Sequence, residues 1–166
     1  TTTVTAGTTL TVGPVSYTFD QEIAPNTIAF AVVGFEANIL DFVSLNGDVG
    51  FKKSGTDIVA VGNNVGAALE AGPVFVRVTG ADFGMMSGAT GFAFEVKNGS
   101  LEIALGPLGD IGADAVFVQY TDATTTVAAG TSISVESLGY TFDQDIQAGT
   151  IAFAVEGFEA NILDFV

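Results

Sequence analysis

The sequence predicts an all-β protein: mainly antiparallel short strands in a tandem repeat of about 123 residues, stacked end to end into an elongated array. Discrete β-sandwich domains are the alternative arrangement. Three observations lead there: an internal repeat, a composition suited to strands and tight turns, and stretches in which apolar residues alternate with polar ones.

The repeat is read directly. Thr1 to Val43 aligns without a gap onto Thr124 to Val166, an offset of 123 residues, and 30 of the 43 positions are identical. A period this long exceeds ordinary solenoid repeats, so each unit is of domain size. The reading is one complete unit at 1-123 and the first third of the next at 124-166. Val166 corresponds to Val43, after which the first copy runs on into Ser44-Leu45-Asn46-Gly47. The chain is therefore expected to be a window from a longer array, and its unpaired apolar segments are expected to associate.

Composition supports strands. There are 21 Gly and 14 Phe without Trp, and hydrophobic residues make up 48% against 14% charged. Small, β-branched and aromatic residues suit pleated sheets and tight turns. So apolar a chain is expected to have much of its outer surface covered by neighbouring repeats or neighbouring chains, with a small-residue β-protein of well-covered sheets as the alternative.

Along the chain, Phe92, Phe94 and Val96 alternate before Asn98-Gly99, and Leu101, Ile103 and Leu105 alternate after it. Asn-Gly between alternating arms predicts a two-stranded hairpin, because type I′ turns need positive φ at both positions. Further short strands are expected at Thr27 to Val33, Asp57 to Val61, Val65 to Leu69, Val74 to Val78 and Ala115 to Tyr120. Gly55, Gly80 and Gly112 each open a turn-into-strand, and about a dozen strands per unit are implied. Phe35 to Val43 reads as a bulged strand, with a short helix as the alternative. Within Thr27 to Val33 only Val33 changes between copies, to Glu156. That places Val33 toward solvent and Ile28, Phe30 and Val32 on the core side. Tyr17, Tyr120 and Tyr140 are expected to be the exposed aromatics. The Thr-rich join from Tyr120 to Thr126 is too short for a loose tether, so successive units should touch.

Charge and missing residue types bound the chemistry. The net charge is −15, with only four basic residues, so nucleic acid and anionic membrane surfaces are poor partners. No apolar run reaches the 18–20 residues of a spanning helix, and no membrane insertion is expected. With neither His nor Cys, catalytic triads, thiol nucleophiles and ordinary zinc sites cannot be built, and no enzyme is expected. No cofactor is required. The one ligand with a case is calcium. Asp20 and Glu22, and their counterparts Asp143 and Asp145, place two carboxylates at i, i+2 beside a loop. Calcium takes six to eight oxygens, so carbonyls or a second loop would have to help. The bland alternative is solvated turn acids.

The domain-length repeat, acidity, absent cysteine and Gly/Val/Thr-rich strands together make the chain resemble the tandem repeats of very large bacterial surface and matrix proteins, of the adhesin-stalk or fibre-forming type. The resemblance is generic and carries no binding residues across. It implies an extracellular or cell-surface location and a structural role, with other repeats of the same protein as partners in a homopolymer. The alternative is a β module that binds polysaccharide or lipid in a groove.

Overall fold

The computed structural model describes residues 2–39, 43–89 and 91–162. The expected all-β class holds: twelve strands and one three-residue 3-10 turn, Gly106–Leu108, with no α-helix among the described residues. Among the described residues no helix is long and apolar enough to cross a membrane.

Six long antiparallel strands follow one another as a meander. They are β3 (Thr27–Ile39), β4 (Val43–Ser54), β5 (Asp57–Ala71), β6 (Val74–Gly88), β7 (Gly91–Leu105) and β8 (Gly109–Thr121). Before them lies a small hairpin, β1 (Thr9–Val12) with β2 (Val15–Thr18). After them the second copy repeats the pattern: hairpin β9 (Ser132–Val135) with β10 (Leu138–Thr141), then β11 (Ile151–Glu156) and β12 (Glu159–Ile162). Both β11 and β12 pair with β8, which completes a single eight-stranded sheet in place of a two-sheet sandwich.

The strands are fewer and longer than expected. Residues 91 to 105 form one continuous strand of 15 residues, so the hairpin predicted at Asn98-Gly99 is absent. Asn98 does adopt positive φ, at 70°, but the extra residue is absorbed as a bulge where the register shifts between Val96 and Gly99. A left-handed residue serves a bulge as well as a tight turn. Both arms find partners along their length, β6 on one side and β8 on the other, which a folded-back hairpin would forfeit. Asp57 to Val61 and Val65 to Leu69 likewise merge into β5 across a bulge at Asn64, φ 51°. Asn46-Gly47 lies inside β4, and Gly80 and Gly112 lie inside β6 and β8; Gly55 alone of the three sits in a turn. Phe35 to Ile39 is strand, past a bulge between Val32 and Phe35, and residues 40–42 of that reading lie outside the described residues.

The bulges are aligned from strand to strand and tied together. Asp82 accepts the Asn64 amide through Oδ1 at 2.9 Å and the Asn98 side-chain amide through Oδ2 at 2.8 Å. Because each bulge inserts one residue, the apolar side chains return to the same face beyond it. Phe94 and Val96 on β7 thus share a face with Leu101, which aligns with Val78, Ala67 and Leu45 on one side and Ala113 on the other.

That apolar face is the uncovered one. Phe30, at 55% exposure, stacks on Phe51 at 5.6 Å between ring centres, and Ile28 and Val32 beside it are also exposed. The assignment of these three to the core side is therefore overturned, although Val33 is exposed as expected. The opposite face carries small residues and receives the β9–β10 hairpin. Its core comprises Val61 and Ala93 from the sheet with Val127, Val135, Leu138, Tyr140, Phe142 and Ile146 from the second copy. The chain exposes 10313 Å² of surface. A compact monomer of 16.9 kDa would expose roughly 7,700 Å².

Phe142 is fully buried, whereas its equivalent Phe19 is only half-buried. We predict that Phe142→Ala costs about 3–5 kcal/mol and Phe19→Ala roughly 1 kcal/mol or less in denaturant titrations. Equal costs would refute this placement of the core.

Candidate functional site: the joint between the two copies

The joint is built on one row of residues across the sheet. Ala31, Gly50, Val61, Gly84, Glu95 and Gln119 are successive cross-strand partners from β3 to β8, all pointing to the covered face. Two of the six are glycines, and that makes a trough. A Cβ on Gly50 would lie 2.8 Å from the Val135 Cβ, and one on Gly84 would overlap the Tyr140 ring. Val135 and Tyr140 occupy the space those side chains vacate. Tyr140 meets Phe142 edge to face at 5.3 Å, a favoured aromatic geometry.

Polar contacts fix the position of the hairpin in the trough. Glu95 is fully buried. Its Oε1 accepts the Tyr140 hydroxyl at 2.7 Å and its Oε2 accepts the Gln119 side-chain amide at 2.7 Å. A buried carboxylate is tolerated only when such donors replace its lost water. Burial, and then the adjoining Glu95, push the Tyr140 phenol well above the ordinary tyrosine range. Beside it Lys97 donates to the Thr141 carbonyl at 2.8 Å and to Asp143 at 2.6 Å, with its ammonium 4.7 Å from the Tyr140 ring centre. Asn63 donates to the Gly139 carbonyl at 3.2 Å.

The Thr-rich join is a structured cap. Asp122 Oδ1 accepts the amides of Thr124 and Thr125 at 3.0 and 2.9 Å, and the Thr125 hydroxyl at 2.7 Å. Its Oδ2 accepts the Phe92 amide from β7 at 2.7 Å. These donors, the Thr125 hydroxyl foremost, hold the carboxyl far below its usual range. Thr121 adds a hydroxyl bond to the Gln147 carbonyl at 2.6 Å, and the Gly149 amide bonds the Asp122 carbonyl at 2.7 Å. The two copies are in contact, as the short join requires.

Comparing equivalent residues shows what the joint does. Tyr140 is 4% exposed and Tyr17 is 62%; Val135 is 0% and Val12 is 80%; Ile146 is 1% and Ile23 is 37%. The local structure is the same in both copies. Val4 bridges Ile23 as Val127 bridges Ile146, and β1–β2 matches β9–β10 in register. What differs is the sheet underneath. Tyr140 was expected to be exposed, and it is instead the central buried ring; Tyr17 and Tyr120 are exposed as read.

The four candidate calcium ligands divide. Asp143 pairs with Lys97, and Asp145 accepts the Ala129 amide at 2.8 Å, so the two carboxylates of the i, i+2 pair serve different partners. Asp20 and Glu22 are exposed. Among the described residues no three acidic side chains gather as a metal cluster. Sequence reasoning missed Glu95, Lys97 and the Gly50/Gly84 trough. A carboxylate in the strand Phe-Ala-Phe-Glu-Val was the available signal for Glu95. No known protein family, curated protein or solved structure matches this chain.

Both perturbed groups make pH predictions. Tyr140 has a raised folded pKa, so its contribution is complete below about pH 10, the unfolded value, and falls as pH rises further. Alkaline titration should release residues 124–149 to protease, and Tyr140→Phe should remove part of that pH dependence. Asp122 has a lowered folded pKa, so its contribution is complete above about pH 4 and is lost as pH falls. Asp122→Ala should flatten the acid limb of a melting-temperature profile; an unchanged acid limb would exclude the cap as a source of stability.

Proposed function

We propose that the protein is an extracellular structural repeat protein whose units pack head to tail into a fibre, stalk, sheath or surface layer. One observation carries the reading: the start of the second copy sits on the sheet of the first and extends it at β8. β11 and β12 reproduce the residues of β3 except for Glu156 in place of Val33, and β3 pairs with β4. If every unit repeats this join, each β3 lies between the β8 of the unit before and its own β4, and one sheet continues through the array. The surface and matrix proteins that the sequence resembles supply the extracellular location in this reading. The uncovered apolar face, with its Phe30–Phe51, Phe83–Phe94 and Phe92–Tyr120 contacts, is where neighbouring chains would lie.

The geometry sets a dimension. Six strands, β3 to β8, belong to each unit, and neighbouring strands lie about 4.8 Å apart, so one unit advances the array by roughly 29 Å. Sheet twist of about 20–25° per strand turns it by roughly 120–150°. Electron microscopy of a polypeptide containing several consecutive units should show filaments with axial spacings near about 4.8 and 29 Å. Separate globules strung on tethers would refute the reading.

A further inference from the structure

We infer that residues 2–39 form a docking segment for a second copy of the 1-123 body, so that separate chains join head to tail without a covalent link. The inference rests on the head-to-tail reading and names its partner and contacts. The occupant is specified by the chain itself, because residues 124–162 already dock on that body in the required way.

Every side chain that anchors the second copy has its equivalent in the first. Tyr17, Phe19, Asp20 and Ile23 are identical to Tyr140, Phe142, Asp143 and Ile146. Val12 matches Val135; Val15 replaces Leu138, a change of one methylene, and Leu10 replaces Ile133, an isomer of equal size. The first-copy hairpin is already folded, with Thr9 paired to Thr18 and Tyr17 edge-on to Phe19 at 5.2 Å. Little ordering is therefore needed on docking. Placed in the trough of another copy, the Tyr17 hydroxyl meets Glu95, Asp20 meets Lys97, and Val12 lies over Gly50. The edge matches too. Thr27 to Val32 carries the same residues as Thr150 to Val155, which take the β8 edge from Thr121 to Val116. Exchange between these strands changes no side chain, so the hairpin decides which copy is seated.

This makes the trough selective. Glu95 would be left buried without its hydroxyl donor under any apolar segment lacking a tyrosine at that place, and such loss is costly. The shared chemistry is thus a hairpin with Tyr, Phe and Asp at i, i+2 and i+3, which this chain carries twice.

The test uses the whole chain. Phe142→Asp with Ile146→Asp should release residues 124–149 and open the trough. Sedimentation should then show at least a doubling of mass that grows with concentration. Adding Phe19→Asp and Ile23→Asp should restore the monomer while 124–149 remains protease-sensitive. Release without any rise in mass overturns docking between chains and leaves packing within the chain intact. Continued protection of 124–149 overturns both. Assembly that survives the four substitutions belongs to another surface and overturns the inference. If the acidic variant loses the hydrogen-exchange protection of β5 to β7, the milder Tyr140→Phe with Asp143→Ala gives the same reading. It weakens the seated copy alone, so mass should still rise with concentration, and Phe19→Asp should still suppress it.

Discussion

The close approach of the β9–β10 hairpin to the sheet is the constraint on which the rest depends, and two residues without side chains make it feasible. A β-sheet face lined by Gly50, Val61 and Gly84 offers little apolar area of its own, yet it accepts Val135 and Tyr140 at backbone distance. Protein interiors are stabilised by close contact, so a trough shaped to a particular hairpin is worth far less when empty. The unit thus cannot complete its own core. The residues that fill its trough stand after position 123, and those of its own hairpin point away from it. Within this chain the core is completed by residues of the second copy.

Much of the class was legible because it depends on pattern. The repeat, the strand content and the contact at the short join all follow from residue spacing and from the thirteen differences among 43 aligned positions. The misread features share one cause: they depend on which partner a segment finds. Asn98-Gly99 announces a left-handed residue, and a left-handed residue ends a strand only when no neighbour continues past it. Here β6 and β8 both continue. Likewise, alternation in Thr27 to Val33 separates two faces but does not say which is covered. The change of Val33 to Glu156 marked one face as solvent-reaching and so pointed to Ile28, Phe30 and Val32 as the core side, while the covered face is the one with Ala31, because a hairpin needs room. The same dependence on partners concealed Tyr140, whose equivalent Tyr17 is exposed within the same Tyr-Thr-Phe-Asp-Gln run.

Electrostatics give the joint its specificity more than its strength. The chain carries −15, so identical units repel one another at low ionic strength. Against that background one of only four basic side chains is spent at the joint, where Lys97 faces Asp143 and the Tyr140 ring. Arg77 bridges Glu70 and Glu102 across neighbouring strands far from it. A buried carboxylate such as that of Glu95 contributes little net stability, because the loss of its water offsets the bonds it gains. Its effect is to penalise every seating that leaves the carboxylate without the tyrosine hydroxyl. The two interactions lie two residues apart on one face of β7 and are read by Tyr140 and Asp143, three residues apart in and just after the hairpin, so a shifted hairpin loses both together.

An open sheet edge is normally a hazard, since its free amides and carbonyls pair with whatever strand arrives. In this fold the hazard is confined by coupling the edge to the trough. β8 accepts β11 at its edge while the hairpin just before β11 in the chain is held on the face of β5 and β6, and the Asp122 cap fixes the turn between the two surfaces. A foreign strand could satisfy the edge hydrogen bonds but not the trough, and a foreign apolar segment could enter the trough but not satisfy Glu95. Only a segment with the hairpin and the strand at the right separation satisfies both, and within this sequence that separation occurs twice. Two weak recognitions joined by a short rigid connection behave as one strong one, because seating the first brings the second to high effective concentration. The β8 edge therefore discriminates by the order of elements along the chain, a hairpin followed by a strand, and that order recurs with the repeat.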